Sequence, residues 1–253
     1  MNRGEKPGGV GLPAGKPAGC THSSPASRAV IQCLSFATAM HLLIPSPNGQ
    51  LEALLTEPNI SPREWGCVLC HPHPQFGGSM HTKAIFRSAR ALQSLGMVTL
   101  QFNFRGVGQS TGAFDEGRGE KDDVRAAIDF LQMRFPKAKL ALLGFSFGAW
   151  VGLQVGVEDE RIEQLIGLGI PFSISSFSFL KASVKAKLIV QGSRDEFGCR
   201  DVIETWYETL SEPKKLVLIE EATHLFEGKI HELQKSMVEY FRERYAMNAV
   251  NPI

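Results

Sequence analysis

The stretch Gly144-Phe145-Ser146-Phe147-Gly148 constrains what this chain can fold into more than any other. It reads G-x-S-x-G. A short run of strand length, Lys139 to Leu143, precedes it, and Ala149 to Val155, which reads as a buried helix, follows. A strand, a sharp turn and a helix are the context in which this pattern exposes its serine at the carboxyl edge of a sheet. The turn is tight, so glycine on both sides lets the two backbones approach. The Phe147 N–H, at the helix N-terminus, points to the same place as the Ser146 side chain and is a candidate oxyanion donor.

The periodicity around this turn predicts an α/β chain. Asn48-Gly49 between two apolar runs, 41–45 and 51–56, reads as a β-hairpin. Strands are then expected near Gly66–Cys70, Met97–Phe104, Ile162–Ile170, Ala186–Gln191 and Lys215–Ile219. Helices with one apolar face are expected over Met80–Leu95, Gly117–Phe135, Asp201–Leu210 and Ile230–Tyr245. A hairpin followed by alternating strand and helix makes a doubly wound, mostly parallel sheet of about eight strands. The segment from Pro171 to Lys185 has room for a loop and a turn, so no substantial lid domain is expected.

Residues 1–39 differ in composition from the rest. Met1 to Ser27 is rich in Gly, Pro and Ser without apolar periodicity and reads as disordered. Ala29 to Phe36 followed by Ala37-Thr38-Ala39 is a weak signal-peptide pattern, interrupted by Gln32. A native start at Met40 is a further reading. The α/β domain is expected to occupy 40–247. With a net charge of +1, nothing global favours nucleic acid or an anionic membrane as partner, and no apolar run is long enough to span a bilayer. Five cysteines without framework spacing read as free thiols in a reducing, cytoplasmic setting.

A serine hydroxyl needs a base, and the base needs an orienting acid. In such a sheet both arrive after the serine, on loops at the carboxyl ends of later strands. The 186–191 strand runs into Gly192-Ser193-Arg194-Asp195-Glu196, and the 215–219 strand into Glu220-Glu221-Ala222-Thr223-His224. Asp195 and His224 are therefore the expected acid and base, with Glu196 as substitute acid. His231 falls inside the last helix and reads as a surface residue.

These three stretches, GFSFG, VQGSRDEFG and EEATHLFEGK, resemble the α/β-hydrolase superfamily. The likeness extends to small lidless hydrolases with an H-P-H-P-x-x-G-G loop, here His71 to Gly78, and an N-x-R-G-x-G-x-S stretch, here Asn103 to Ser110. It covers about Met40 to Tyr245. It implies that the loop after the third strand supplies a second oxyanion N–H. Pro72 and Pro74 have none to give, so His73 is the choice and Gln75 the alternative. Arg105 is expected to brace the loop between strand and helix, with an anionic substrate group as its other partner.

Two other motifs are weighed against this reading. Cys67-Val68-Leu69-Cys70-His71 fits C-x-x-C-H, but in a strand its cysteines face opposite ways, which argues against haem or a shared zinc. Gly106-x-Gly108 lacks the third glycine of a dinucleotide fingerprint. The expectation is a serine hydrolase without cofactor or metal, acting on a small ester or thioester. Short peptides, or binding without turnover, are the alternatives.

Overall fold

The structure is a computed structural model that describes residues 38–59 and 64–246. Eight strands form one sheet: β1 (Thr38–Ser46), β2 (Gly49–Glu57), β3 (Trp65–Cys70), β4 (Val98–Phe102), β5 (Lys139–Phe145), β6 (Ile162–Leu168), β7 (Ala186–Gly192) and β8 (Lys214–Ile219). Their spatial order is β1-β2-β4-β3-β5-β6-β7-β8. The β1–β2 hairpin and the β2–β4 pair are antiparallel, and every pair from β4 to β8 is parallel. Central strands β3, β4 and β7 are buried along their whole length, as strands covered on both faces must be.

The five helices are α1 (Lys83–Ser94), α2 (Arg118–Arg134), α3 (Phe147–Glu158), α4 (Arg200–Glu208) and α5 (Ile230–Tyr245). The apolar faces of α1 and α5 share one core layer with Cys67, Leu69 and Leu143. The faces of α2, α3 and α4 share the other with Val68, Cys70 and Leu142. Cys67 and Cys70 thus lie on opposite sides of the sheet, as alternation along a strand requires. Among the described residues no helix is long and apolar enough to cross a membrane.

The direction of winding reverses at β3. The chain moves outward from β3 to β4, then returns to place β5 on the other side of β3. The carboxyl ends of β3 and β5 therefore diverge into a crevice, the usual ligand position in open α/β sheets. Between β6 and β7 the chain forms only a short 3-10 turn, Ser178–Leu180, so no lid domain is built there. The strand begins at Thr38, two residues ahead of the boundary expected at Met40; backbone pairing of Thr38 with Glu57 and Ala39 with Thr56 extends it. The disorder and targeting expectations for 1–37 lie outside the described residues.

Candidate active site

Ser146 sits between β5 and α3 with φ 55° and ψ −118°, a conformation costly for a residue with a Cβ. Hydrogen bonds on both sides hold it there. Its N–H donates to the Leu168 carbonyl at 3.0 Å, and its own carbonyl accepts from the Ala149 N–H at 2.9 Å. The flanking glycines are needed for close approach. A Cβ on Gly144 would lie 2.3 Å from the Gly148 oxygen and 2.4 Å from the Ala149 Cα. A Cβ on Gly148 would lie 2.3 and 2.4 Å from the carbonyl oxygens of Cys70 and His71. The start of α3 is thus pressed against the end of β3. Gly148→Ala is expected to cost about 1–3 kcal/mol by overpacking against rigid backbone, lowering the melting temperature by roughly 5 °C. Thermal denaturation checks this; an unchanged midpoint would mean the contact is slack.

The loops after β7 and β8 bring Asp195 and His224 to Ser146. His224 Nε2 lies 2.9 Å from Ser146 Oγ, and His224 Nδ1 lies 2.9 Å from Asp195 Oδ2. Asp195 is 1% exposed, His224 6% and Ser146 8%, so the relay is shielded from bulk water yet open at the serine. The carboxylate is well satisfied. Asp195 Oδ1 accepts the Phe197 N–H at 2.9 Å, and Oδ2 also accepts from Gln191 Nε2 at 2.8 Å. Glu196 does something else: its Oε2 accepts the main-chain N–H of His224 at 3.3 Å. The rings of Phe145 and Phe197 flank the imidazole, with centroids 5.3 and 4.7 Å away. Gly169, at φ 51°, packs where a Cβ would come within 3.2 Å of His224 Nδ1 and Cε1. His231 is exposed on α5.

Gln191 is the residue that motif reading passed over. It is fully buried at the end of β7, accepts the Ile170 N–H at 2.7 Å, and donates to both Asp195 and the Gly198 carbonyl. One amide thus ties the loops after β6 and β7 together beneath the carboxylate. The available signal was a polar side chain ending an otherwise apolar buried strand.

The loop after β3 is built on its histidines. His71 is buried; its Nε2 accepts the Phe104 N–H at 3.0 Å, so the proton sits on Nδ1 and is donated to the Pro72 carbonyl at 2.6 Å. Burial pushes its pKa down to about 4. His73 Nδ1 accepts the Gln75 N–H at 3.2 Å, and the His73 carbonyl accepts from Phe76 and Gly78 at 3.1 Å each. The Gln75 N–H is therefore committed within the loop. The His73 ring packs 4.9 Å from that of Phe147, and burial lowers its pKa. Neither the His73 N–H nor the Phe147 N–H has a hydrogen-bond partner among the described residues.

Because His71 is held neutral in the fold but titrates near 6.5 once unfolded, the unfolded chain binds the extra proton between those values. Its contribution to stability is complete above about pH 6.5 and declines as pH falls toward 4. The slope is at most about 1.4 kcal/mol per pH unit. Denaturant titrations at several pH values should show this slope reduced in His71→Asn; an identical slope would refute the assignment.

Arg105 is spent on the scaffold. Its guanidinium grips Asp123 of α2 through Nε and Nη2 at 2.8–3.2 Å, and its N–H donates to the same carboxylate at 2.9 Å. Both side chains are nearly inaccessible, so the bracing role stands and a direct role toward substrate does not. Asn103, at the head of the same stretch, accepts the Met80 N–H and donates to Glu52, tying β4 to the hairpin.

The sequence matches, over residues 68–240, the family described as an alpha/beta hydrolase domain. An alpha-beta serine hydrolase homologue from Coxiella burnetii is 35% identical, with a TM-score of 0.75 covering 79% of this chain and 96% of that one. An a/b serine hydrolase without lid from Xanthomonas campestris is 32% identical, again with a TM-score of 0.75, covering 86% and 98%. An uncharacterized protein of Rickettsia prowazekii is 33% identical over 203 residues, 77% of this chain and 85% of that protein.

Proposed function

The chain belongs to the alpha/beta hydrolase family, and from that premise we propose that it is a serine hydrolase working through an acyl-enzyme on Ser146. The observation that carries this is the continuous hydrogen-bonded relay from Ser146 Oγ through His224 to Asp195, both links 2.9 Å long. Ser146 Oγ attacks the substrate carbonyl while His224 Nε2 takes its proton. His224 then returns that proton to the leaving alcohol or thiol as the carbonyl reforms. Water repeats the sequence on the acyl-enzyme and frees the acid. Asp195 holds the Nδ1 proton and stabilises the imidazolium without being protonated.

The developing oxyanion is held by the N–H groups of His73 and Phe147. Gln75 is the weaker candidate, since its N–H is already taken by the His73 ring. His71 positions this loop, and its neutrality keeps Nε2 an acceptor for Phe104. The substrate is a small carboxylic ester or thioester, because the β6–β7 connection offers a short turn and no lid to enclose a large one. Labelling by a fluorophosphonate probe, followed by p-nitrophenyl esters of rising chain length, tests the reading. A folded protein that neither reacts with the probe nor turns over any ester would instead be a hydrolase-like binding protein.

A further inference from the structure

The segment between β6 and β7 and the helix α4 line an open pocket of about 480 Å³. That volume suits a small organic ligand. Three aromatic rings form its floor. Phe172 stands edge-on to Trp206 at 4.7 Å, with Phe177 at 5.6 and 6.4 Å from the two. The Trp206 indole N–H is itself buried and has no hydrogen-bond partner among the described residues, so the ring meets the pocket through its apolar surface. The rim is different in kind. Four serines line it, with Ile174 67% exposed and Lys181 exposed at one end. The lining has one charge, the Lys181 ammonium, and no carboxylate.

The pocket shares a wall with the relay. The Ser173 N–H donates to the Phe197 carbonyl at 2.9 Å, and the other side of Phe197 is its ring against His224. Phe172 packs so close to Gly198 that a Cβ there would lie 3.2 Å from it. A ligand on Phe172 and Ser173 is therefore one residue removed from the 195–198 loop that holds Asp195.

From the aromatic floor, the hydroxyl rim and the single cation we infer that this pocket binds an amphiphilic organic anion. The apolar body lies on Phe172, Phe177 and Trp206, and the carboxylate faces Lys181. Its use as the subsite for the non-reacting part of the substrate rests on the serine-hydrolase reading above.

The test uses the full chain carrying Ser146→Ala and two matched probes, 4-phenylbutyrate and the neutral 4-phenylbutyramide, titrated by calorimetry. The anion should bind more tightly than the amide. Lys181→Gln should weaken the anion about threefold, the scale of an exposed ion pair, and leave the amide unchanged. Ile174→Asp, a surface change, should also weaken the anion selectively. Equal affinities for the two probes, or no response to either substitution, would overturn the assignment. With Ser146 intact, 4-phenylbutyrate should compete with ester hydrolysis; binding without competition would remove the pocket from the substrate path. The two readings fail separately. A chain that labels with fluorophosphonate but discriminates neither probe loses only the pocket, whereas one that binds the anion selectively and never labels loses the hydrolase.

Discussion

Ser146→Ala is expected to abolish fluorophosphonate labelling and to lower ester turnover by roughly 10⁴–10⁶-fold, leaving what the oxyanion donors and binding supply. The effect is this large because nucleophile, base and acid act as a unit, and removing the nucleophile strands the other two. Stability should hardly move. Alanine meets the same positive φ as serine, the backbone bonds to Leu168 and Ala149 remain, and among the described residues the lost hydroxyl bonds only His224. The rival nucleophiles are cysteines, and geometry argues against the three among the described residues. Cys67 and Cys70 are wholly buried in β3, and desolvation pushes both thiols up, away from the reactive thiolate. Cys199 is exposed at the start of α4, outside the relay. Iodoacetamide should therefore leave most of the activity. Near-native turnover by Ser146→Ala, or complete inactivation by alkylation of a still-folded protein, would sink the serine reading.

The second large effect belongs to the acid. Asp195→Asn should lower kcat by about 10³–10⁴-fold, because an amide can present its N–H₂ to His224 Nδ1 and favour the wrong tautomer. Neither orientation of the amide fits the site: a nitrogen at the Oδ2 position would face the Gln191 donor, and one at the Oδ1 position would face the Phe197 N–H. Glu196→Gln should cost less than about tenfold, since the amide oxygen can still accept the His224 main-chain N–H. Steady-state kinetics on one p-nitrophenyl ester separates the two. If Glu196→Gln proved the more damaging substitution, the acid's role would pass to it.

Much of the site was legible in the chain because its chemistry depends on local turns. Gly144, Ser146 and Gly148 advertise a strand-to-helix turn, and the approach of Gly148 to the Cys70 and His71 carbonyls is the steric demand that such spacing encodes. Asp195 and His224 were legible because each follows an apolar strand closely, and parallel strands in one sheet deliver their carboxyl ends to one edge. The parallel order itself followed from alternating periods, down to the opposed faces of Cys67 and Cys70.

Other features required the packed structure. Adjacent Asp195 and Glu196 differ little in sequence, and the turn decides which meets the ring and which meets the backbone. His73 and Gln75 were separated only when the loop bonded one N–H to its own imidazole. Arg105 was placed on the scaffold by Asp123, eighteen residues away on α2. Gln191 showed in the sequence only as a polar side chain ending an apolar strand, and its role came from the three partners that surround the buried amide. The physical divide is one of range. Covalent neighbours set turns, caps and strand alternation, so the sequence alone determined the fold and the positions of its candidate catalytic groups. The direction in which a side chain spends its hydrogen bonds is settled by groups distant in the chain, and only the tertiary structure decided that.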